Sequence, residues 1–523
     1  MRKNFTAVAL LCATLMVGMT ACNKSNQGPE VPQAGESSYA VLSISLPTAN
    51  SSRANVGDKH QGETYDGTVA ENKVSSVLVG FYKAGTCAAR IDLNATHDGA
   101  TTGKFTGTDV ATTSTGYKLV TKAVKVPKIA NTDSYDVVVF FNPTEEVKGR
   151  INKGASIEDL KRFSNYDEAK VITANGIMMS NAKGIVNITG DKLFDTKEKA
   201  EEAAAEKVSV QVERAVAKVF VNPTITNDNA SGSIAGAKLK LLGWQLDVTN
   251  LKYFPMRVMD QKIKANSVGS AAAELEAETA ASERVDSYAK DPNFDAATTT
   301  IDTNNFEYLA GLSTLPTFYE AGYDDDKGHY VAENTMAPDA QKLRGTTLVV
   351  FKVKVTPTIN GAEVTSYVVY KGVAYTVDDF TKRVTKSANT SDADNGMPTG
   401  FAAAVAAFAD GSATGVDALN AKIGKGKAFK DEASGISLYV GGVNYYHMPI
   451  RHFTNEQQAA PMQYGRYGLV RNNIYKLTIN SIKNFGDPEV VEPGDENDDP
   501  ETLFIAMSVE LLPWLVRESG YDL

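Results

Sequence analysis

The residue types that usually carry catalysis or bind metal ions are scarce in this sequence. The chain has 523 residues but only 5 histidines and 3 cysteines. It contains no H-E-x-x-H, G-x-S-x-G or phosphate-loop motif. The spacing of His447 and His452 fits no single helix face, so we interpret them as packed or surface histidines. We therefore expect no enzyme, no metal site and no cofactor, although the many carboxylates leave room for an acid/base pair that the sequence does not single out.

Two acidic stretches remain to be interpreted, and calcium binding is considered only for the second. Residues 324–326 are three consecutive aspartates, which most simply form a turn. Residues 489–501 lack the alternating ligand spacing and the final glutamate of a calcium-binding loop. We interpret this second stretch as a solvated loop that leads into a last strand.

One cysteine lies in a context that predicts a covalent modification. Residues 1–21 have the basic start, apolar core and small residues of a secretory signal. The ending Met-Thr-Ala-Cys at Cys22 is typical of a bacterial lipoprotein signal, in which the cysteine is acylated; an ordinary signal is the alternative. Residues 23–38 are polar and suit a tether. Cys12 leaves with the signal, so only Cys87 remains and no intrachain disulfide can form.

The body of the chain has the pattern of a folded, mainly β protein. Hydrophobic residues make up 42% and charged residues 22%, and the net charge of -10 disfavours a nucleic-acid partner. Runs rich in β-branched residues predict strands; they lie at 74–82, 135–141, 208–221, 239–246, 347–355, 366–375 and 474–482. Helical patterns are fewer and predict short surface helices; they lie at 144–163, with a break at Gly154, and at 196–207, 271–289 and 401–409.

The length of the chain predicts more than one domain. A helix-prone polar segment ends near residue 206, and a long predicted strand begins directly after it. We therefore expect a first domain at about 54–206 and a larger second domain at about 207–500.

The two ends of the chain carry the most informative patterns. In residues 39–46, Leu42, Ile44 and Leu46 share one face of a predicted strand. The polar stretch that follows contains a single arginine, Arg53, after which a trypsin-like protease would cut. Cleavage would separate this strand from the rest of the chain; alternatively, the strand simply stays in its sheet.

A second apolar strand is predicted near the C-terminus, within residues 501–523. Its alternating apolar residues are Leu503, Ile505, Met507, Val509 and Leu511. Such a segment must pair with another strand, because an exposed apolar strand promotes aggregation. Its partner is either its own sheet or the groove of a neighbouring molecule, filled by β-strand addition.

Three segments resemble a known family. Residues 464–488 (YGRYGLVRNNIYKLTINSIKNFGDP) and 511–523 (LLPWLVRESGYDL) look like the C-terminal region of Bacteroidales fimbrillins. Residues 213–221 (ERAVAKVFV) resemble the start of the second domain in that family. The layout of the N-terminal segment also matches the family's precursors. The chain thus resembles the major, shaft subunits of type V pili, in particular those of short (minor) fimbriae.

The resemblance implies a fold and a mechanism. The fold is two transthyretin-like β-sandwich domains. The precursor reaches the outer membrane as a lipoprotein acylated on Cys22, and an Arg-specific protease cuts after Arg53 to free Ala54. Loss of the strand at 39–46 opens a groove that the C-terminal segment of another subunit fills. The head-to-tail contact does not close, so it builds a cell-surface filament that serves adhesion and biofilm formation, with anchor and tip subunits as further partners.

The identity of the donor segment stays open at this stage. It is residues 502–512, residues 513–523, or both. The Leu-Pro-Trp sequence at 512–514 suggests a last native strand followed by a separable tail, which favours the tail. The apolar residues of that tail are Leu515, Val516, Tyr521 and Leu523.

Three other functions compete with the shaft subunit. A surface glycan-binding β-sandwich lipoprotein would use exposed aromatic rings, yet Trp244 and Trp514 are the only tryptophans, beside 22 tyrosines. A secreted hydrolase is disfavoured by the missing motifs. A tip or anchor subunit need not have both a cleavable strand and a C-terminal segment, and this chain has both.

Overall fold

The computed structural model describes residues 36–46, 65–202, 207–258, 290–294, 301–452, 462, 465–499 and 505–514. Several predicted features lie outside these residues: the helix at 271–289, Cys22, Arg53, Ala54, Leu503, Leu515, Val516, Tyr521 and Leu523. Among the described residues, no helix is both long and apolar enough to cross a membrane.

The first thirteen strands build the N-terminal half. They are β1 Ser37–Ala40, β2 Leu42–Ser45, β3 Val77–Lys83, β4 Thr86–Leu93, β5 Lys118–Val120, β6 Val124–Pro127, β7 Ser134–Phe141, β8 Ser164–Asn165, β9 Ile172–Thr173, β10 Gly176–Ile177, β11 Met179–Asn181, β12 Val186–Thr189 and β13 Val208–Arg214. The main sheet has the order β4-β3-β7-β11-β13-β2-β5, β12 lies beside β7, and β1 pairs with β6. One hydrophobic core joins these strands, with Ile44, Phe81 and Val139 fully buried in it.

The remaining strands build the C-terminal half. They are β14 Val216–Val221, β15 Lys238–Asp247, β16 Thr249–Asn250, β17 Lys252–Tyr253, β18 Phe306–Glu307, β19 His329–Ala332, β20 Leu348–Thr356, β21 Thr358–Ile359, β22 Ala362–Glu363, β23 Tyr367–Tyr370, β24 Val373–Thr376, β25 Ala409–Asp410, β26 Ala413–Thr414, β27 Phe429–Asp431, β28 Ile436–Tyr439, β29 Val443–Pro449, β30 Asn473–Ile482 and β31 Ile505–Pro513. The sheets β19-β14-β30-β31 and β15-β20-β29 share one core, which contains Trp244, Phe351 and Tyr475.

The helices are short, as predicted. They are α1 Val69–Asn72, α2 Glu145–Arg150, α3 Glu168–Val171, α4 Lys197–Glu202, α5 Val377–Lys386, α6 Phe401–Ala407 and α7 Gly415–Gly424. Helices α5, α6 and α7 cover the sheet β24-β23-β28-β27 and form a third core with it. The mainly β fold with a few short helices is confirmed. Of the helical pattern at 144–163, only Glu145–Arg150 is α-helical; the chain leaves the helical conformation at Ile151 (φ -104°, ψ 80°), and a 3-10 turn follows Gly154 at Ile157–Asp159.

The chain passes from one set of sheets to the other at Ala215. β13 pairs with β2 and β11 in the N-terminal sheet, whereas β14 pairs with β19 and β30. This change of sheet lies after the boundary expected near residue 206, and the domain boundary itself stays a prediction. The sequence shows a single apolar run over 208–221, and such a run does not reveal that its two halves belong to different sheets.

Candidate functional site

Residues 36–46 fill a groove in the N-terminal half. β1 pairs antiparallel with β6, and β2 lies between β13, to which it is parallel, and β5, to which it is antiparallel. The side chains of Leu42, Ile44 and Leu46 are 0% exposed. The structure thus brings together in one core the three residues that the sequence placed on one strand face.

The outer face of this segment is covered as well. Val41 points away from the main core and packs with Val120 and with Ala200 of α4. The backbone of Tyr39 exchanges hydrogen bonds of 2.7 and 2.9 Å with that of Phe194. Residues 36–46 are therefore an interior part of the fold and not an edge strand.

Removal of this segment would leave a defined binding surface. Each buried Leu or Ile side chain contributes about 1.5–3 kcal/mol, and the same apolar surface would be exposed in the empty groove. The facing edges of β5 and β13 would lose their backbone partners, and unpaired strand edges bind other strands. The empty groove could accept an extended segment with apolar side chains at alternate positions.

β31 is the edge strand of a C-terminal sheet. It pairs antiparallel with β30, from Ile505 opposite Ile482 to Pro513 opposite Asn473. Ile505 is 2% exposed, whereas Met507 and Val509 are only partly buried against the core. The backbone of Leu511 pairs with Tyr475. The predicted apolar face therefore exists, but its own sheet buries it less completely than the groove buries β2.

The described part of the loop expected at 489–501 is largely solvent-exposed, as predicted, but its end at Asp498 and Asp499 is anchored to the protein. Asp498 is 0% exposed and accepts a hydrogen bond of 2.8 Å from Thr346 Oγ1. Asp499 accepts two hydrogen bonds of 2.8 Å from Arg466. Burial raises the pKa of Asp498 to about 7. The sequence showed the acidic residues of this loop but not their buried partners, which are distant in the chain.

Trp514, directly after β31, lies in the interior between the two halves. Its side chain is 0% exposed and packs in a cluster with residues of both halves, including Leu78 of β3 and Ile474 of β30. Arg214, at the end of β13, donates from Nη1 to the Trp514 carbonyl oxygen at 2.9 Å. The sequence marked Trp514 only as the end of a strand.

A buried ion pair joins the two halves nearby. Lys218 Nζ of β14 lies 2.7 Å from Glu71 Oε1 of α1. Tyr330 donates from its hydroxyl to the same oxygen at 2.6 Å, and Tyr65 donates to Asp325 Oδ1 at 2.5 Å. The one sequence signal for this pair is a lysine among the five apolar residues of β14. The three aspartates at 324–326 form the expected turn, and one of them also helps to hold this junction.

His447, His452 and the two tryptophans do not form a surface site. His452 is buried with Nδ1 2.7 Å from the Tyr475 hydroxyl, and His447 lies 3.9 Å from Asp247. Burial lowers the pKa of His447 to about 4 and that of His452 to about 3, as for neutral packed side chains. Trp244 and Trp514 are both 0% exposed, so neither offers the flat exposed ring of a glycan-binding platform. The described residues contain no group of three or more side chains that could hold a metal ion.

Comparisons with known proteins agree with the resemblance in the sequence. Residues 437–520 match the family model for the major fimbrial subunit protein type IV, fimbrillin, C-terminal. This span contains β29, β30, β31 and Trp514. The C-terminal region of the chain is therefore similar to the C-terminal region of the fimbrillins. A comparison with curated proteins finds no match.

Several solved structures are similar over most of their length. A presumed cell adhesion protein from Parabacteroides distasonis is 12% identical, with 91% of this chain and 99% of that chain covered and a TM-score of 0.41. A fimbrilin from Porphyromonas gingivalis is 15% identical, with coverages of 92% and 98% and a TM-score of 0.37. A tip fimbrial protein from the same organism, with a C-terminal truncation, is 12% identical, with coverages of 91% and 100% and a TM-score of 0.35.

Proposed function

We propose that this protein is a structural, non-enzymatic subunit of a cell-surface fimbria that polymerises head to tail by strand exchange. The family match of the C-terminal region supports a fimbrial subunit that serves adhesion. The observation that carries the polymerisation mechanism is the position of residues 36–46, which form an interior strand near one end of the chain. A strand that can be removed by one cut leaves a groove for an identical neighbour.

The proposed processing steps are those that the resemblance to the fimbrillins implies. In the precursor, the lipid on Cys22 holds the protein at the outer membrane, and residues 36–46 occupy the groove. An Arg-specific protease cuts after Arg53, so that Ala54 begins the mature subunit. The strand is joined to the rest of the chain only through residues 47–64, so this single cut makes its departure possible.

The donor that replaces this strand is β31. The groove buries Ala40 and, at alternate positions after it, three larger apolar residues. Residues 505–511 repeat this pattern with Ile505, Met507, Val509 and Leu511, separated by Ala506, Ser508 and Glu510. Residues 515–523 do not repeat it, because alternation from Leu515 would place Arg517 and Ser519 in the core. The pattern therefore favours β31 over the tail that the Leu-Pro-Trp break suggested.

The two halves of the subunit thus have separate roles. The N-terminal half, up to about Ala215, accepts a strand, and the C-terminal half donates one. A chain with both functions suits the shaft of a short type V fimbria, where each subunit contacts a neighbour on either side. Anchor and tip subunits would contact the two ends of the filament, and the filament would support adhesion and biofilm formation.

A competing peptide tests whether the groove drives assembly. Chains of residues 23–523 are cut with an Arg-specific protease in the presence of a synthetic peptide of residues 36–46. The peptide should occupy empty grooves and shorten the assemblies seen by electron microscopy. A matched peptide with aspartate at positions 42 and 44 should have no effect, because the groove does not accept charge. Assemblies of unchanged length at saturating peptide would contradict the groove mechanism.

A further inference from the structure

The side chain of Trp514 occupies a closely fitted pocket. Its ring stacks on Tyr330, with 6.0 Å between ring centroids and 15° between planes. Tyr65 contacts the same ring edge-on at 6.3 Å and pairs with Trp514 through the backbone. The backbone of Gly67 passes so close that a Cβ there would lie 2.8 Å from Trp514 Nε1. The indole is therefore enclosed by two rings and by backbone that leaves no spare room.

Arg214 holds both the ring and the backbone of Trp514. The guanidinium carbon lies 4.5 Å from the centroid of the indole, and Nη1 donates to the Trp514 carbonyl oxygen at 2.9 Å. Nη1 also donates to Asn472 Oδ1 at 3.3 Å, and Nη2 donates to Asn72 Oδ1. A planar guanidinium can stack and donate in several directions at once, which a lysine ammonium cannot. Arg214 therefore fixes the position of Trp514.

β31 itself is restrained less strongly by its side chains. Met507 and Val509 are only partly buried, and among the described strands β31 pairs with β30 alone. The groove in the N-terminal half, by contrast, fully buries the alternate apolar residues of its occupant. A strand with the pattern of β31 would therefore bury more apolar surface in a neighbour's groove than in its own sheet. The burial of Trp514 opposes that transfer.

We propose that Trp514 is a latch that holds β31 in its own subunit until strand exchange, with Arg214 as its positioning residue. This inference rests on the proposed function, because it names what restrains the donor strand. Exchange requires Trp514 to leave its pocket, to break its contacts with Arg214 and Tyr330, and to move with β31. The latch keeps a subunit from donating its strand too early, and its strength sets the rate at which cut subunits assemble.

The latch can be tested in the uncut chain, where no polymerisation is needed. Hydrogen–deuterium exchange is measured for the backbone amides of β31 in residues 23–523, with those of β20 in the same molecule as the internal control. Trp514→Ala should make the β31 amides exchange at least tenfold faster and leave β20 unchanged. Arg214→Lys keeps the charge but loses the planar group, so it should produce a smaller increase in the same amides.

A second measurement follows the latch during assembly. In Trp244→Phe, Trp514 is the only remaining tryptophan, and its fluorescence should change as cut subunits assemble. Cut Trp514→Ala subunits should assemble with a shorter lag than wild type. Unchanged exchange of β31 in Trp514→Ala, or constant Trp514 emission while filaments form, would overturn the latch. If wild-type subunits never assemble, the proposed function fails instead, and the exchange of uncut β31 still decides whether Trp514 restrains it.

Discussion

Lys218 Nζ lies 2.7 Å from Glu71 Oε1, and the two side chains are only 1% and 2% exposed. Three aromatic rings surround the same ammonium group, with centroids 4.9 Å away for Phe220, 5.1 Å for Tyr330 and 5.4 Å for Tyr65. Glu71 belongs to the N-terminal half and Lys218 to the C-terminal half. This pair therefore ties α1 of the N-terminal half to β14, the first strand of the C-terminal half.

Loss of the cation from this pair should destabilise the protein strongly. Lys218→Met leaves the Glu71 carboxylate buried without a counter-charge, which costs about 3–5 kcal/mol. The free energy of unfolding in urea measures the loss, and adding Glu71→Gln to the same chain should recover part of it. Lys382→Ala removes one partner of an exposed pair and should leave the midpoint unchanged. Equal midpoints for Lys218→Met and Lys382→Ala would show that the buried pair is not a structural tie.

Residues 36–46 should stabilise the uncut chain, and this contribution should be absent from a subunit that has lost them. Ile44 is 0% exposed, so Ile44→Ala should cost the precursor about 2–5 kcal/mol of unfolding free energy. Lys125→Ala, at an exposed position of the adjacent β6, is the control and should have little effect. Equal unfolding free energies for the two single variants, Ile44→Ala and Lys125→Ala, would mean that residues 36–46 contribute little to the stability of the uncut chain.

Asp498 should make stability depend on pH. Burial raises its pKa to about 7 in the folded protein, whereas an unfolded chain has an ordinary value of about 3.9. The folded state therefore holds the proton more tightly, and this contribution to stability is lost as the pH rises from about 4 to about 7. Asp498→Asn removes this titration. As the pH rises from 5 to 8, the unfolding free energy of the variant should therefore increase by about 2–3 kcal/mol relative to that of wild type.

Urea unfolding of wild type and Asp498→Asn at pH 5 and pH 8 measures this difference in unfolding free energy. The buried histidines are the same in both proteins, so their contribution cancels when one free energy is subtracted from the other. Asp495→Asn changes a largely exposed carboxyl in the same loop and serves as the control. If the difference in unfolding free energy between wild type and Asp498→Asn does not increase with pH, the raised pKa assigned to the buried Asp498 is contradicted.

Shortened chains should identify the donor segment. A cut chain that ends at Trp514 keeps β31 and should assemble, whereas one that ends at Asp499 should not. Loss of β31 also uncovers β30, so a full-length chain with Met507→Ser and Val509→Ser provides a second test with the strand retained. This variant should fold, because both side chains are only partly buried in their own sheet, and it should assemble poorly. Monomers from the chain ending at Trp514 would instead assign the donor to 515–523.

Local patterns in the sequence predicted much of the groove but little of the junction between the halves. Leu42, Ile44 and Leu46 could be placed on one buried face because strand side chains alternate with a period of two. Helix α5 was missed although its signals were present: Thr376 caps its first turn, and Phe380 and Val384 form its buried stripe.

The junction depends on residues that are far apart in sequence. Glu71 and Lys218 meet only because α1 packs against β14, and Arg214 and Trp514 meet across most of the chain. A lysine inside an apolar strand indicates that some partner exists, but it does not say which of the many carboxylates provides it. The switch of sheets at Ala215 was hidden for the same reason, since pairing between distant strands decides it.

Electron microscopy of the chain before and after cleavage tests the central claim most directly. Residues 23–523 and the variant Arg53→Ala are treated with a limiting amount of Arg-specific protease, and each product is checked for a new N-terminus at Ala54. Strand exchange predicts filaments from the cut wild-type chain and none from Arg53→Ala. Wild-type chains that are cut after Arg53 and remain monomeric, or that are never cut there, would contradict polymerisation by release of residues 36–46.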